Sequence, residues 1–174
     1  MRRSPGRRGG PKGTSLPPLH VEACATPDPA LLLELQLRAI RHHGGEAYGP
    51  SELSAWCDAA REDAEAGLLR GFQTYVAHRG GHLVGYGCFS GEDGLIGALY
   101  VEGDQMGQGV GTALLAALEA AALAQRMRTL YVHASLNAVP FYRRRGFTAL
   151  ASNAYELPSG LQLAMVRMVK DLGG

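Results

Sequence analysis

The 174-residue sequence predicts a mixed α/β (α+β) domain, built on a mostly antiparallel twisted sheet of about six to seven strands and flanked by about four helices. Three observations predict it. Short apolar runs of strand length recur along the chain, and most are joined by tight turns. Two of them, at Leu95–Val101 and Thr129–Ser135, are instead separated by a long helical segment, the crossover that a central parallel pair requires. Between the first of these strands and that helix lies a glycine-rich turn, GQGVGT, at 107–112.

The elements follow in order. Residues 19–25 form a first strand, and Thr26-Pro27-Asp28-Pro29 carries the signals of a helix start. Leu31, Leu32, Leu35 and Ile40 supply the buried side of that first helix, and Gly44-Gly45 stops it. Ser51 caps a second helix whose apolar face is Leu53, Trp56, Cys57 and Ala60; Ser54 replaces the usual glutamate, so the capping box is incomplete. Residues 72–78 and 83–90 are strands joined by Arg79-Gly80-Gly81-His82, a tight hairpin turn. Glu92-Asp93-Gly94 turns the chain into the strand at Leu95. Behind the glycine turn, Leu114, Leu115, Leu118 and Ala122 recur at helical spacing with Glu119 on the opposite side. After the strand TLYVHAS, Asn137 is placed to cap a short helix over 138–145, with Pro140 in its first turn and Gly146 at its end. Two strands around Leu157-Pro158-Ser159-Gly160 complete the sheet.

Composition bounds the function. A 46% hydrophobic content at this length suits one domain with a real core, placed at 19–172. Residues 1–18 hold five of the 17 Lys and Arg residues and none of the acids, with almost no apolar content, so a disordered basic tail is expected there. Its arginines have no aromatic neighbours on which bases could stack, so no nucleic-acid partner is expected. No run approaches the roughly 20 apolar residues of a membrane span and the N-terminus lacks the apolar centre of a secretory signal, so the expected location is cytoplasmic, away from membranes. Cys24, Cys57 and Cys88 are far apart with no CxxC, and the six histidines show no HExxH spacing, so no metal is expected.

Glycines at 107, 109 and 111 let the main chain approach a ligand closely, and the N–H groups of the helix that follows are unpaired at the positive end of its dipole. The turn is therefore a ready phosphate site. A tight connection whose glycines serve packing alone is the other reading. GQGVGT does not fit GxGxxG, because Thr112 stands where the third glycine belongs, and no lysine follows to make a phosphate loop.

The stretch LYVEGDQMGQGVGTALL resembles the acyl-CoA-binding motif of the GNAT superfamily of N-acetyltransferases, whose core is Q/R-x-x-G-x-G/A. Gly109 and Gly111 fall on the small positions, and Met106 stands where the family prefers Gln or Arg. A second match is SLNAVPFYRRRGF, similar to the superfamily's NA-xx-FY-xxx-GF element. The resemblance implies a GNAT-like sheet whose parallel strands splay around acetyl-CoA. Met106, Gly107, Gln108, Gly109, Val110, Gly111 and Thr112 would face its pyrophosphate, and Leu99, Tyr100 and Val101 would meet its pantetheine amides with backbone groups. Asn137 would bond the pantetheine arm, and Tyr142 would reach the sulfur as the group that returns a proton to the departing thiolate.

The resemblance further implies an N-acetyltransferase acting on a primary amine of a small molecule, by direct attack. It leaves a non-catalytic acyl-CoA sensor, or a protein lysine or N-terminal acetyltransferase, as alternatives. The first two helices and their connection would wall the acceptor pocket, with Tyr48, Glu46 and Trp56 as its candidates. Many members carry a glutamate on the strand before the turn, which LIGALYV lacks. His133 is the alternative base to test, on one face with Tyr131 and Ser135, with a structural histidine as the other reading; Glu46 and Glu92 could act through water. A homodimer through the last strands is a further expectation of the family.

Overall fold

The computed structural model describes residues 15–67 and 69–173, so most of the expected basic tail, residues 1–14, lies outside the described residues. The elements are β1 (Leu19–Cys24), α1 (Pro29–His43), a 3-10 turn at Gly44–Glu46, α2 (Pro50–Ala66), β2 (Gln73–Arg79), β3 (His82–Phe89) and β4 (Leu95–Val101). A second 3-10 turn at Gly103–Gln105 leads to α3 (Val110–Ala124), β5 (Thr129–Ser135), α4 (Val139–Arg144), β6 (Thr148–Glu156) and β7 (Gln162–Asp171). The strands form one seven-stranded sheet in the order β1-β2-β3-β4-β5-β7-β6. Every neighbouring pair is antiparallel except β4 with β5. The fold class is the one read from the sequence.

Local chemistry accounts for most boundaries. Asp28 caps α1, its Oδ1 accepting from the Ala30 N–H at 2.9 Å, with Pro29 at the first helical position. Gly80 and Gly81 take φ of +58° and +81°, the pair of positive values a two-residue hairpin loop needs to match strand twist. Three sequence expectations are corrected. The buried stripe of α1 runs through Leu35, Ala39 and Ile40 and centres near Leu32, roughly 100° around the wheel from Leu31, which is 52% exposed. Helix α2 begins at Pro50, because proline is pre-set for that position, and is capped at Gly49, whose N–H donates to the Glu52 carboxylate at 2.7 Å; Ser51 is not the cap. Helix α4 starts a residue later than read, with Ala138 before its first turn, so Asn137 does not cap it.

Helices cover both faces of the sheet. The α3 crossover buries Val110 and Leu114 against Ala77, Val84 and Val101, and Leu115 and Leu118 against Phe89 and Leu130. Leu35 of α1 packs on the opposite side against Val76, Tyr86 and Ala98. Adjacent Val76 and Ala77 thus serve different cores, as the two-residue period of a strand requires.

The position of greatest consequence is the centre. Strands β4 and β5 pair only through Leu95 with Tyr131 and Ile96 with Val132. On its other side β4 has a bulge: Phe89 opposes Ile96 and Cys88 opposes Ala98, leaving Gly97 as the extra residue. A bulge bends its strand and increases the local twist. Beyond it β4 and β5 separate, and the sheet opens into a wedge.

Candidate active site

A cavity of about 730 Å³ occupies that wedge and continues beneath α1 and α2. Gly97, Ala98, Leu99 and Tyr100 line one side, and Val132 to Ser135 the other. Tyr142 closes one end from α4. Its ring is 4% exposed and held edge-on between Phe141 and Phe147, each with its centroid 5.2 Å away. Burial holds the Tyr142 and Tyr100 phenols above their ordinary value, so both stay protonated as donors. The buried Cys88 thiol is pushed up to about 12 for the same reason, which keeps it from acting as a thiolate.

The glycine turn lies past the end of β4, outside this cavity. Gly107 and Gly109 adopt φ of +70° and +83°, the left-handed region, with open space where a Cβ would project. The first backbone bond closing α3 runs from the Ala113 N–H to the Gly109 carbonyl at 3.0 Å, so the N–H groups of Val110, Gly111 and Thr112 point out of the helix end. The Gln108 side chain is already engaged: its amide donates to the Asp104 carbonyl at 2.9 Å and its oxygen accepts from Arg79. Met106 is 54% exposed and points at nothing in the cavity. The Thr112 hydroxyl accepts from Arg145, whose guanidinium lies 5.4 Å from the Phe141 ring centroid.

Among the described residues, three buried polar atoms near these elements have no partner: Arg79 Nε, Arg145 Nε and Asn137 Oδ1. Neither arginine was an expected site residue; Arg79 bonds Gln108 in the turn and Arg145 bonds Thr112 at the start of α3. Arg145 stands within the FYRRRGF segment, but three adjacent arginines gave no sign of which would turn inward. Val101 differs from expectation in one respect. Its carbonyl accepts from His43 Nε2 at 3.3 Å, and burial lowers the His43 pKa, which keeps that ring neutral with its proton on Nε2.

Of the acceptor-pocket candidates, the structure brings only Trp56 to the cavity. Glu46 is exposed on the outer 3-10 turn. Tyr48 is 6% exposed and works as a bridge: its hydroxyl donates to the Ala164 carbonyl at 2.6 Å and accepts from the Leu136 N–H at 2.9 Å. Trp56 packs edge-on against it at 5.6 Å. His133 lines the cavity and its side chain is exposed. Partial desolvation, then the cross-strand neighbour Arg167, lowers its pKa. Glu92 is exposed on the turn before β4 and does not line the cavity.

Asp63 lines the cavity and was missed. The signal was present, because Asp63 follows Trp56 by seven residues and Ala60 by three, placing an acid on the apolar stripe of α2.

Comparison with known proteins agrees with this geometry. Residues 45–172 match the family model described as an acetyltransferase (GNAT) domain. A GCN5-related N-acetyltransferase from Rhodopseudomonas palustris shares 33% identity over 93% of this chain and 99% of its own, with a TM-score of 0.80. The PaiA N-acetyltransferase from Thermoplasma acidophilum, solved with coenzyme A, has the same fold at 15% identity and a TM-score of 0.68, covering 88% of this chain and 99% of its own. An aminoglycoside 6′-N-acetyltransferase, also solved with coenzyme A, does so at 16% identity and 0.62, covering 89% and 98%. No curated protein matches the chain by sequence. A family model matched over most of the chain, and a third of the residues shared nearly end to end with one relative, place the chain in the GNAT acetyltransferase family, a family of acyltransferases.

Proposed function

We propose that the protein is an N-acetyltransferase, a single domain over 19–172, that moves an acetyl group from acetyl-CoA to the primary amine of a small molecule by direct attack. The observation that carries the reading is the wedge between β4 and β5, open to the acceptor chamber under α1 and α2 and closed by a buried tyrosine. The residues present fit acetyl-CoA. Free N–H groups at the start of α3 and the flanking Arg79 and Arg145 suit its phosphates, and the unpartnered Asn137 Oδ1 suits an amide N–H of its arm.

When bound, acetyl-CoA supplies a thioester carbonyl open to attack. The chain's residues do the rest. Backbone N–H groups of β4 that face the wedge would receive the negative charge that develops on the carbonyl oxygen. Tyr142, kept protonated by burial, would give its proton to the departing sulfur and recover one from the amide nitrogen being formed. The acceptor enters as an ammonium and loses its other proton through the open side of the cavity, so one C–N bond forms as one C–S bond breaks. His133 at that opening, held neutral at physiological pH by its lowered pKa, is the candidate to accept it.

The test is thiol release from acetyl-CoA across a panel of amines, amino acids, polyamines, aminoglycosides and lysine peptides, with acetyl-CoA affinity measured by calorimetry. Release on a small amine supports the proposal. Tight acetyl-CoA binding with no release supports a sensing module, and release on peptides alone supports a protein acetyltransferase. The same reading includes a homodimer joined through β6, an edge strand exposed at every position and carrying Leu150 and Tyr155, 54% and 47% exposed. Sedimentation at equilibrium tests it. Among the described residues no helix is long and apolar enough to cross a membrane, and the reading places the enzyme in the cytoplasm with no nucleic-acid partner or metal.

A further inference from the structure

The acceptor chamber has a charge pattern that acetyl transfer does not by itself require. Asp63 is the single carboxylate among the residues lining the cavity, and among the described residues it has no ion-pair partner. The cavity it lines is walled largely by apolar side chains, among them Leu32 and Leu33 from α1, Trp56 from α2, and Leu69 and Phe72 from the segment before β2. A carboxylate in such walls is costly until a cation or donor meets it, and partial burial, with Glu62 adding to it, already raises the Asp63 pKa.

A fixed polar floor lies near it. The Tyr86 hydroxyl donates to Gln36 Oε1 at 3.0 Å, and Gln36 Nε2 donates to the Tyr100 hydroxyl at 3.3 Å. Tyr100 therefore accepts within the chain of bonds and has its own proton left to donate into the cavity, where the Asp63 charge is felt. Arg70 lines the same cavity and adds a positive charge.

Resting on the acetyl-transfer reading, we propose that the acceptor is a monocationic primary amine with an apolar body, an arylalkyl- or alkylamine. Its ammonium is drawn to Asp63 and its body lies against Leu32, Leu33, Trp56 and Phe72. A polycation fits badly, because its second charge finds no second carboxylate and meets Arg70 instead. Acceptors of the aminoglycoside type, named for structural neighbours at 16% and 19% identity, are thus disfavoured here although the fold is shared.

The experiment uses the full chain saturated with acetyl-CoA. Thiol release is measured with phenethylamine, spermidine and kanamycin, and phenethylamine binding to the CoA-loaded protein is measured by calorimetry. Phenethylamine is expected to exceed both polycations in kcat/KM by about 10-fold or more. Asp63→Asn is expected to lower kcat/KM for phenethylamine about 10- to 100-fold, mainly through KM, and to weaken its calorimetric binding to match, the loss of one charge-assisted bond. Asp63→Glu restores part of that binding if the charge is what matters. Acetyl-CoA affinity is unchanged in both variants. A polycation turned over best, an Asp63→Asn protein that binds phenethylamine as the wild type does, or a wild type that binds acetyl-CoA but not phenethylamine overturns the inference and leaves the acetyl-transfer reading standing. A wild type that fails to bind acetyl-CoA overturns that reading itself, and the inference with it.

Discussion

Replacing Tyr48 with phenylalanine removes one oxygen from the point where three segments meet. The ring stays, with its edge-on contact to Trp56 and its buried position beside Leu163. What is lost is the pair of bonds by which the hydroxyl ties the Ala164 carbonyl of β7 to the Leu136 N–H after β5. Each is worth about 1 kcal/mol net, so the variant should be destabilised by about 2 kcal/mol. For a chain of this length that corresponds to a melting temperature lower by roughly 4–8 °C. Leu136 sits directly before Asn137, so the same loss should loosen the turn that carries Asn137 and Tyr142 and weaken coenzyme A binding several-fold. Urea unfolding and calorimetry with coenzyme A measure the two effects. An unfolding free energy unchanged within about 0.5 kcal/mol, together with unaltered coenzyme A affinity, would refute the assignment of Tyr48 as a positioning residue.

Three further outcomes are expected. Gly109→Ala must hold a Cβ at φ +83°, which costs roughly 1 kcal/mol, and with no neighbour to clash the effect should appear as weaker coenzyme A binding from a displaced turn, read by calorimetry. Tyr142→Phe keeps the packing between Phe141 and Phe147, so thermal stability and acetyl-CoA affinity should hold while turnover falls about 100-fold or more; equal turnover would remove the hydroxyl from the reaction. Tyr86, Tyr100 and Tyr142 all have phenols raised by burial, so the unfolded chain loses protons first as pH climbs past about 10. Their contribution to stability is complete below that pH and drains away above it, so the urea midpoint should hold up to about pH 10 and fall as pH rises further, less steeply in Tyr100→Phe.

The sheet was legible because its signals are local and repeat. Alternation, the Gly80-Gly81 turn and the long helical spacer between Leu95–Val101 and Thr129–Ser135 each fix one connection, and together they fix the strand order of the first half. Helix starts were read less well. Ser51 and Asn137 are good capping residues, but the cap of α2 falls two residues earlier, at Gly49, and that of α4 one residue later, at Ala138, shifts set by backbone geometry that capping preference does not encode. The site divides the same way. Asn137, Tyr142 and the glycine turn belong to contiguous motifs, whereas Arg79, Asp63 and Gln36 come from three separate elements, and folding brings the first to the glycine turn and the other two to the cavity. Tyr48 stood in the right loop, yet its aromatic ring turned toward β7, where the Ala164 carbonyl and the Leu136 N–H both needed a partner.

Those needs point to why the centre of the sheet is built as it is. A strand alternately directs its N–H and C=O pairs to each neighbour, and buried pairs left open are costly. Past Ile96 the β4 groups facing β3 remain paired, and along β5 the groups facing β7 are paired to Ser135. The groups facing the wedge have lost each other, because Gly97 bends β4 away after two residues of parallel pairing. Two adjacent strands that each keep their outer ladder but open their inner one form a slot that an extended ligand with its own amides can enter and complete, as an added strand would. His43 answers one such group, the Val101 carbonyl. The next wedge-facing pair on the β4 side, at Leu99, lines the cavity unanswered by β5, while the Tyr100 groups face β3, so the bulge that weakens the sheet is also what makes room for the reaction.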